Sequence, residues 1–350
     1  MATLQAPTVI SYPDYSHQNA YQSLLYSNYK GVVTFGGVET AANSLANLDK
    51  GVLHINWINQ VVTPSAEDTL VQISRFKEDI GILKNCGIKL AWTVHNLYGH
   101  STPSELRGVE RDFRKWLLQN VDVLILHKHS HLPIVASEYG AMPRRVYFHD
   151  HGLYEVEPLD LPASSEIASL VNESRPIIGL IGQIRPYKGL NDAIDILNRL
   201  SDDVASKAQV LIAGKIEWSF KAEVDQMVNA LCERVRVTLI DKRLDDAELY
   251  TATRISRALL LPYRDILNSG SLRYNQTVGA PSLMPSRHEN LFAAEPGVIF
   301  YHDHVHAAQI LNEIVDQSRE QFEALRESIT AESKENLRWP DLTPLFAALV

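Results

Sequence analysis

Apolar and polar positions along this chain follow two alternating patterns. Short, mostly apolar runs bounded by polar or glycine-bearing turns fall at 8–11, 52–57, 88–94, 123–126 and 145–148, and again at 177–181, 210–213, 235–240, 258–261 and 298–301. They read as strands. Between them lie longer stretches with apolar residues three and four positions apart, among them 66–85 and 103–119, the latter with Pro103 at an early helical position. Uninterrupted apolar strands alternating with helices predict parallel sheets covered on both faces, hence an α/β, doubly wound architecture. The alternation lapses between 155 and 175, where EPLDLPASSE gathers Pro158, Pro162 and acidic and serine residues. The expected organisation is a domain over 1–158, a linker over 159–175, a second domain over 176–334 and a terminal segment over 335–350. In such sheets ligands collect at the carboxyl ends of the strands, where Asp14, His95 and His100 are expected to lie.

Composition narrows the class. A chain of 350 residues accommodates two domains with separate cores, and 45% hydrophobic with 21% charged residues is a globular balance. A net charge of −9 excludes broad nucleic-acid binding. The sequence contains no apolar run of about 18 or more residues, and MATLQAPTVISYPDY enters a strand without a leader pattern, so neither secretion nor a membrane span is expected. Cys86 and Cys232, in different expected domains, read as two unpaired buried thiols in a reducing compartment, with the cytoplasm as the default.

Two stretches carry chemistry. LLLPYRDILNSGSLRYNQTVGAP, 259–281, reads as buried strand, loop, helix start at Asn268-Ser269-Gly270-Ser271 and C-cap at Gly279. A helix start built of small residues exposes unpaired N–H groups at the positive end of the dipole and suits an anion such as a diphosphate, although an ordinary capped helix has the same appearance. The second stretch is PIIGLIG followed by QIRPYKGL, a strand running into a turn that bears Arg185 and Lys188. By itself this is also a turn with two surface cations.

Taken together, GxIRPYKGL and LPYxxxxNSGSL resemble the donor-binding domain of GT-B nucleotide-sugar glycosyltransferases. With Thr93-Val94-His95-Asn96-Leu97 and Asn19-Ala20-Tyr21, the pattern is most similar to the bacterial exopolysaccharide (xanthan-type) β-mannosyltransferase family. The resemblance implies two Rossmann-like domains facing a central cleft, with the C-terminal segment crossing back to the first. It also implies a hexosyltransferase reaction, with mannose from GDP-mannose as the best match and inversion at the anomeric carbon. In that scheme Arg185 and Lys188 clamp the diphosphate against Ser269, Gly270 and Ser271, while Gly182, Tyr263, Asn268 and Tyr274 complete the donor site. No metal or other cofactor is implied. Retaining relatives carry two glutamates around this helix, at positions that here hold Ile266 and Tyr274, so ribose recognition passes to Tyr274 or Asn275.

For the first domain the resemblance sets His95 against the donor sugar, the bland alternative being a core histidine. It leaves the general base open among Asp14, His100 and Glu105, and assigns Asn19, Tyr21, Asn96 and His151 to the acceptor or cleft. The implied acceptor is a glycan or a polyprenyl-diphosphate-linked glycan. Without a spanning segment, membrane contact would be peripheral, on the inner face, through Arg111, Arg114, Lys115 and Trp116 on the helix after Pro103; a plain amphipathic helix is the alternative. Rival readings are a retaining transferase using a UDP-sugar such as UDP-glucose, and a catalytically silent subunit that binds a sugar nucleotide or a partner protein. His127 with His129, His149 with His151, and His302, His304 and His306 have the alternate spacing that ligation of a metal can use, but matching carboxylates are scarce and the expected role is structural or solvated.

Overall fold

The computed structural model describes residues 5–38, 51–63, 65–99, 102–157, 165–171 and 175–350. The chain divides into two compact units, Met1–Gly152 with Leu337–Val350, and Leu153–Asn336. Each is built on a six-stranded sheet whose strand pairings are all parallel.

In the first unit β1 (Thr8–Tyr12), β2 (Val33–Phe35), β3 (Gly51–Ile55), β4 (Lys89–Thr93), β5 (Val123–Leu126) and β6 (Val146–Phe148) lie in the order β2-β1-β3-β4-β5-β6. Helices α1 (Ala20–Leu25), α2 (Ala66–Asn85), α3 (Arg107–Asn120) and α4 (His131–Tyr139) connect them. The central strands β3 and β5 are buried at every position, as apolar runs between two helical layers must be. α2 shows its boundaries in the sequence: Ser65 caps it by accepting from Asp68 N, acidic Glu67 and Asp68 occupy the first turn, and Lys84 the last. The C-terminal helix Thr343–Ala347 seats Leu342 and Phe346 in the core formed by Val9, Tyr21, Leu25 and Val52. This is the crossing-back that the resemblance implies.

The second unit contains β7 (Ile177–Ile181), β8 (Gln209–Ala213), β9 (Arg236–Ile240), β10 (Ser256–Leu260), β11 (Ser282–Pro285) and β12 (Val298–Tyr301), ordered β12-β11-β10-β7-β8-β9. Its first six helices are α5 (Glu166–Val171), α6 (Leu190–Leu197), α7 (Asp202–Lys207), α8 (Lys221–Leu231), α9 (Asp246–Ile255) and α10 (Gly270–Val278). α5 lies in the stretch expected as linker; its Ile167 and Leu170 pack with Ile177, Leu211 and Ile240 of the sheet. Strand order reverses between β7 and β10, so the loops that follow these two strands flank the topological switch point.

Four expectations change. β2 and β11 are strands that the apolar pattern misses, because β2 has three half-buried residues and β11 begins one residue after Pro281. Cys86 and Cys232 are unpaired but exposed, since each caps the C-terminal end of a helix instead of facing a core. The helix expected from Pro103 starts at Arg107, after a 3₁₀ turn over Ser104–Leu106. Arg114, expected at a membrane-facing surface, is buried: it pairs with buried Glu110 and donates to the Asn96 carbonyl at 2.9 Å. No helix among the described residues is long and apolar enough to cross a membrane.

α10 is held by a buried ion pair. Arg273 Nη2 donates to Glu295 Oε1 at 2.8 Å and Nη1 to Gln276 Oε1 at 2.8 Å, while Gln276 Nε2 donates to Glu295 Oε2 at 3.0 Å. A buried pair adds little over an apolar replacement of the same volume, but removing one partner strands a charge. Arg273→Met is therefore expected to cost about 3–5 kcal/mol by removing the cationic partner of the buried Glu295 carboxylate. Urea unfolding followed by circular dichroism measures this, and an unchanged midpoint overturns it.

Candidate active site

The chain leaves β7 through Gly182, winds a 3₁₀ turn over Pro186–Lys188, and enters α6 after Gly189. Gly189 adopts a left-handed conformation, φ 71°, and a Cβ there would stand 2.1 Å from the Pro262 carbonyl oxygen. Only glycine lets the turn after β7 close on the loop after β10. The Arg264 N–H donates to the Tyr187 carbonyl at 3.0 Å across the same junction, and the Tyr187 and Tyr263 rings lie 6.1 Å apart.

This docking brings the sequence's two motifs to one place. Lys188 Nζ lies 3.1 Å, and Ser271 Oγ 3.8 Å, from the point a Cβ on Gly182 would occupy. Lys188 also lies 5.9 Å from the Tyr263 ring centroid and pairs with no carboxylate among the described residues. Arg185 is placed differently: its Nε faces Glu217 Oε2 at 3.5 Å, on the loop after β8. Ser269 caps α10, its Oγ accepting from Leu272 N at 3.1 Å, so the N–H groups of Gly270 and Ser271 have no intrahelical acceptor. Asn268, half-buried, precedes the cap, and Gly279, φ 79°, ends the helix. A lysine ammonium beside first-turn N–H groups at the positive end of a helix is an arrangement that suits an anion. Tyr274 is half-buried with its ring 6.1 Å from that of Tyr154. Asn275 is committed elsewhere, being buried and donating to Ser282 Oγ at 2.9 Å, which leaves Tyr274 of the two ribose candidates.

In the first unit the same carboxyl edge gathers aromatic rings. Because neighbouring parallel strands end level, Trp57 follows β3 by two residues, His95 follows β4 by two, and His127 and His149 each follow their strand directly. His95 stacks on Trp57 with centroids 4.8 Å apart and planes 18° apart, and its Nδ1 lies 3.4 Å from His127 Nε2. The Tyr21 ring stands 4.7 Å from His95, 5.0 Å from His151 and 5.3 Å from Trp339. Burial, reinforced by the neighbouring histidines, holds His95 and His127 well below the usual imidazole range, and burial brings His149 down to about 4. At neutral pH the group is uncharged, so His95 can orient a hydroxyl but is a poor proton acceptor. The ring nitrogens His95 Nε2 and His149 Nε2 are buried with no hydrogen-bond partner among the described residues. No group of three or more His, Cys, Asp or Glu among the described residues is arranged to hold a metal ion.

The other candidates are more scattered. Asn19 caps α1, its side chain accepting from Tyr21 N at 3.0 Å, and the Asn96 carbonyl takes the Arg114 bond. Asp14 is exposed; the Ser16 hydroxyl, donating at 2.7 Å, holds its carboxyl below the ordinary range. Its neighbour Tyr15 stands 5.6 Å from Trp57, so this loop adjoins the ring cluster. Glu105 sits on the exposed 3₁₀ turn, where the Ser104 hydroxyl donates to it at 3.1 Å. His100 lies outside the described residues. Sequence reasoning assigned no role to Trp57 or Trp339 and treated His127 and His149 only as possible ligands. Their one- or two-residue offset from a strand end was the available signal for Trp57, His127 and His149; Trp339, 187 positions after Gly152 in the chain, had none.

No family model matches the chain. It is 24% identical over 281 residues, 77% of its length and 71% of the other's, to a GDP-mannose:glycolipid 4-beta-D-mannosyltransferase of Xanthomonas campestris pv. campestris. Among solved structures, an alpha,alpha-trehalose-phosphate synthase (UDP-forming) from Burkholderia xenovorans aligns with TM-score 0.69 at 12% identity, covering 98% of this chain and 99% of that one. HepE of Anabaena, crystallised with UDP-glucose, aligns with TM-score 0.66 at 10% identity over 98% and 99%. These likenesses show the GT-B fold.

The buried rings make stability depend on pH. In the unfolded chain a histidine takes up a proton near 6.5, whereas folded His95, His127 and His149 resist it, so their contribution is complete above about pH 6.5 and is lost as pH falls toward about 4. Each is expected to remove about 1.4 kcal/mol of stability per pH unit within that window. Four of the five tryptophans, Trp57, Trp92, Trp116 and Trp339, belong to the first unit, so tryptophan fluorescence during urea unfolding at pH 7.5, 6 and 5 reports on it. A flat profile, or a slope unchanged by His127→Gln, overturns the assignment.

Proposed function

We propose that this chain, a glycosyltransferase of the GT-B fold, moves mannose from GDP-mannose to a hydroxyl of a glycolipid or lipid-linked glycan, with inversion. The observation that carries the reading is Lys188, which pairs with no carboxylate among the described residues and is set beside Gly182 and Ser271 at the start of α10. Breaking the bond between the sugar and the nucleotide leaves a diphosphate with growing negative charge. A preorganised ammonium and first-turn N–H groups stabilise that charge more as it develops than in the bound donor, and that difference lowers the barrier. In this scheme no metal is required. Arg185 contributes once the incoming anion competes with Glu217, and Tyr274 meets the ribose. The choice of GDP-mannose is supported by the name of the Xanthomonas relative.

Inversion is supported by Ile266 and Tyr274, which stand where retaining relatives carry glutamates. An inverting transfer needs a base to take the acceptor proton, a role for Asp14, His100 or Glu105, with neutral His95 orienting the sugar. A glycolipid acceptor implies work in the cytoplasm at the inner membrane face. The second reading, a retaining transfer from UDP-glucose, draws on the UDP-glucose bound by HepE; a silent binding subunit would show affinity without turnover.

Two measurements test this. Lys188→Ala is expected to lower transfer by about a hundredfold, the scale of losing one preorganised electrostatic donor, with an unchanged melting temperature and with the same ratio in excess chelator. Turnover at the wild-type rate overturns the clamp, and loss of wild-type turnover in chelator overturns metal independence. Proton-coupled carbon NMR of the product is expected to show a β-mannoside through its C1–H1 coupling. An α-product sinks inversion, and transfer from UDP-glucose but not GDP-mannose sinks the donor assignment.

A further inference from the structure

Tyr154 lies along α10. Its backbone N–H donates to Thr277 Oγ1 at 3.2 Å, near the helix C-terminus. Its ring stands 6.1 Å from that of Tyr274, and its hydroxyl oxygen lies 2.9 Å from the point a Cβ on Gly270 would occupy. Gly270, Tyr274 and Thr277 are spaced four and three apart and so share one helix face, which is the half-buried one, while Leu272, Arg273, Asn275 and Gln276 face inward. The tyrosine side chain therefore runs up this face from the last turn to the first. Any side chain at the first helical position would collide with its hydroxyl, and the residue there is glycine.

The geometry points to Tyr154 as a donor-site residue whose hydroxyl donates a hydrogen bond to the diphosphate held at the start of α10, an inference that rests on the donor reading above. Three features support it. The hydroxyl is delivered to the residue whose N–H lacks an intrahelical acceptor, the end of the helix at which an anion is stabilised. Burial pushes the phenol up to about 12, so at neutral pH it keeps its proton and can donate to an anion. Its backbone is anchored by the bond to Thr277 and its ring lies beside that of Tyr274, while the absence of a side chain at Gly270 leaves room for the hydroxyl at the helix start. Arg273 and Glu295 fix the opposite face of the same helix, which gives the hydroxyl and the first-turn N–H groups a common rigid support.

The experiment is isothermal titration of the full chain with GDP, GMP and guanosine, repeated with UDP, UMP and uridine. Tyr154→Phe keeps the ring and deletes only the hydroxyl. It is expected to weaken the nucleoside diphosphate by roughly tenfold, the scale of one hydrogen bond to a charged group, while leaving the nucleoside affinity and the circular dichroism unchanged. Equal diphosphate affinity overturns the inference and spares the donor reading. Loss of nucleoside affinity by the same factor overturns it as well, because that marks a packing defect. Failure of the wild type to bind either nucleoside diphosphate overturns the donor reading and this inference with it. Gly270→Ala supplies an independent check: its added methyl group displaces the hydroxyl, so adding Tyr154→Phe is expected to cause no further loss, and fully additive losses overturn the coupling.

Discussion

Parallel pairing is the constraint on which both units rest. When every strand of a sheet runs the same way, each return crossover spends its length on a helix, and every strand delivers its chain to the same edge. Residues far apart in sequence then meet because each stands one or two positions past its own strand. That is how Trp57, His95, His127 and His149 come together in the first unit, and how the turn at Gly182–Gly189 meets the loop that starts at Pro262 in the second. No side chain has to reach far; register does the assembling.

The two edges treat charge in opposite ways. The second unit offers an ammonium with no carboxylate partner among the described residues beside first-turn N–H groups, an arrangement that suits an anion and gains most when negative charge grows. In the first unit, burial among tryptophan and tyrosine rings keeps His95, His127 and His149 uncharged at neutral pH. Neutral imidazoles orient hydroxyl groups without repelling a cation or binding a phosphate. The buried Arg273–Glu295 and Arg114–Glu110 pairs serve these edges from beneath, the first by fixing α10 and the second by holding the carbonyl of Asn96 just past His95.

Much of this was legible in the chain. Apolar runs between helical patterns specified two doubly wound sheets, because a strand buried on both faces leaves few polar positions in its sequence. Ser65, Ser269 and Gly279 marked helix ends, since capping is a local interaction between a residue and its near neighbours. The cationic turn and the NSGS helix start were readable as a turn and a capped helix start for the same reason. β2 escaped notice because three half-buried residues carry too little pattern, and β11 because Pro281 reads as a breaker while serving as the entry to a strand.

What the sequence could not decide is which polar and aromatic residues share a place and which are spent on the scaffold. Arg114 and Trp116 read alike in composition as basic and aromatic surface residues, yet Arg114 is buried against Glu110 where the Asn96 loop crosses. Arg185 and Lys188 sit three apart in one turn, but a carboxylate from the loop after β8 engages only Arg185. Tyr154 follows a histidine-glycine turn with no local mark of function, and only the path of its backbone along α10 carries its hydroxyl to Gly270. Caps, breakers and apolar period are properties of a few consecutive residues, so the amino-acid sequence alone determined most of the strands, several helix ends and the fold class. Partners in a site are separated by tens to hundreds of residues, and they meet only after the sheets have set their register, which is why tertiary structure alone decided them.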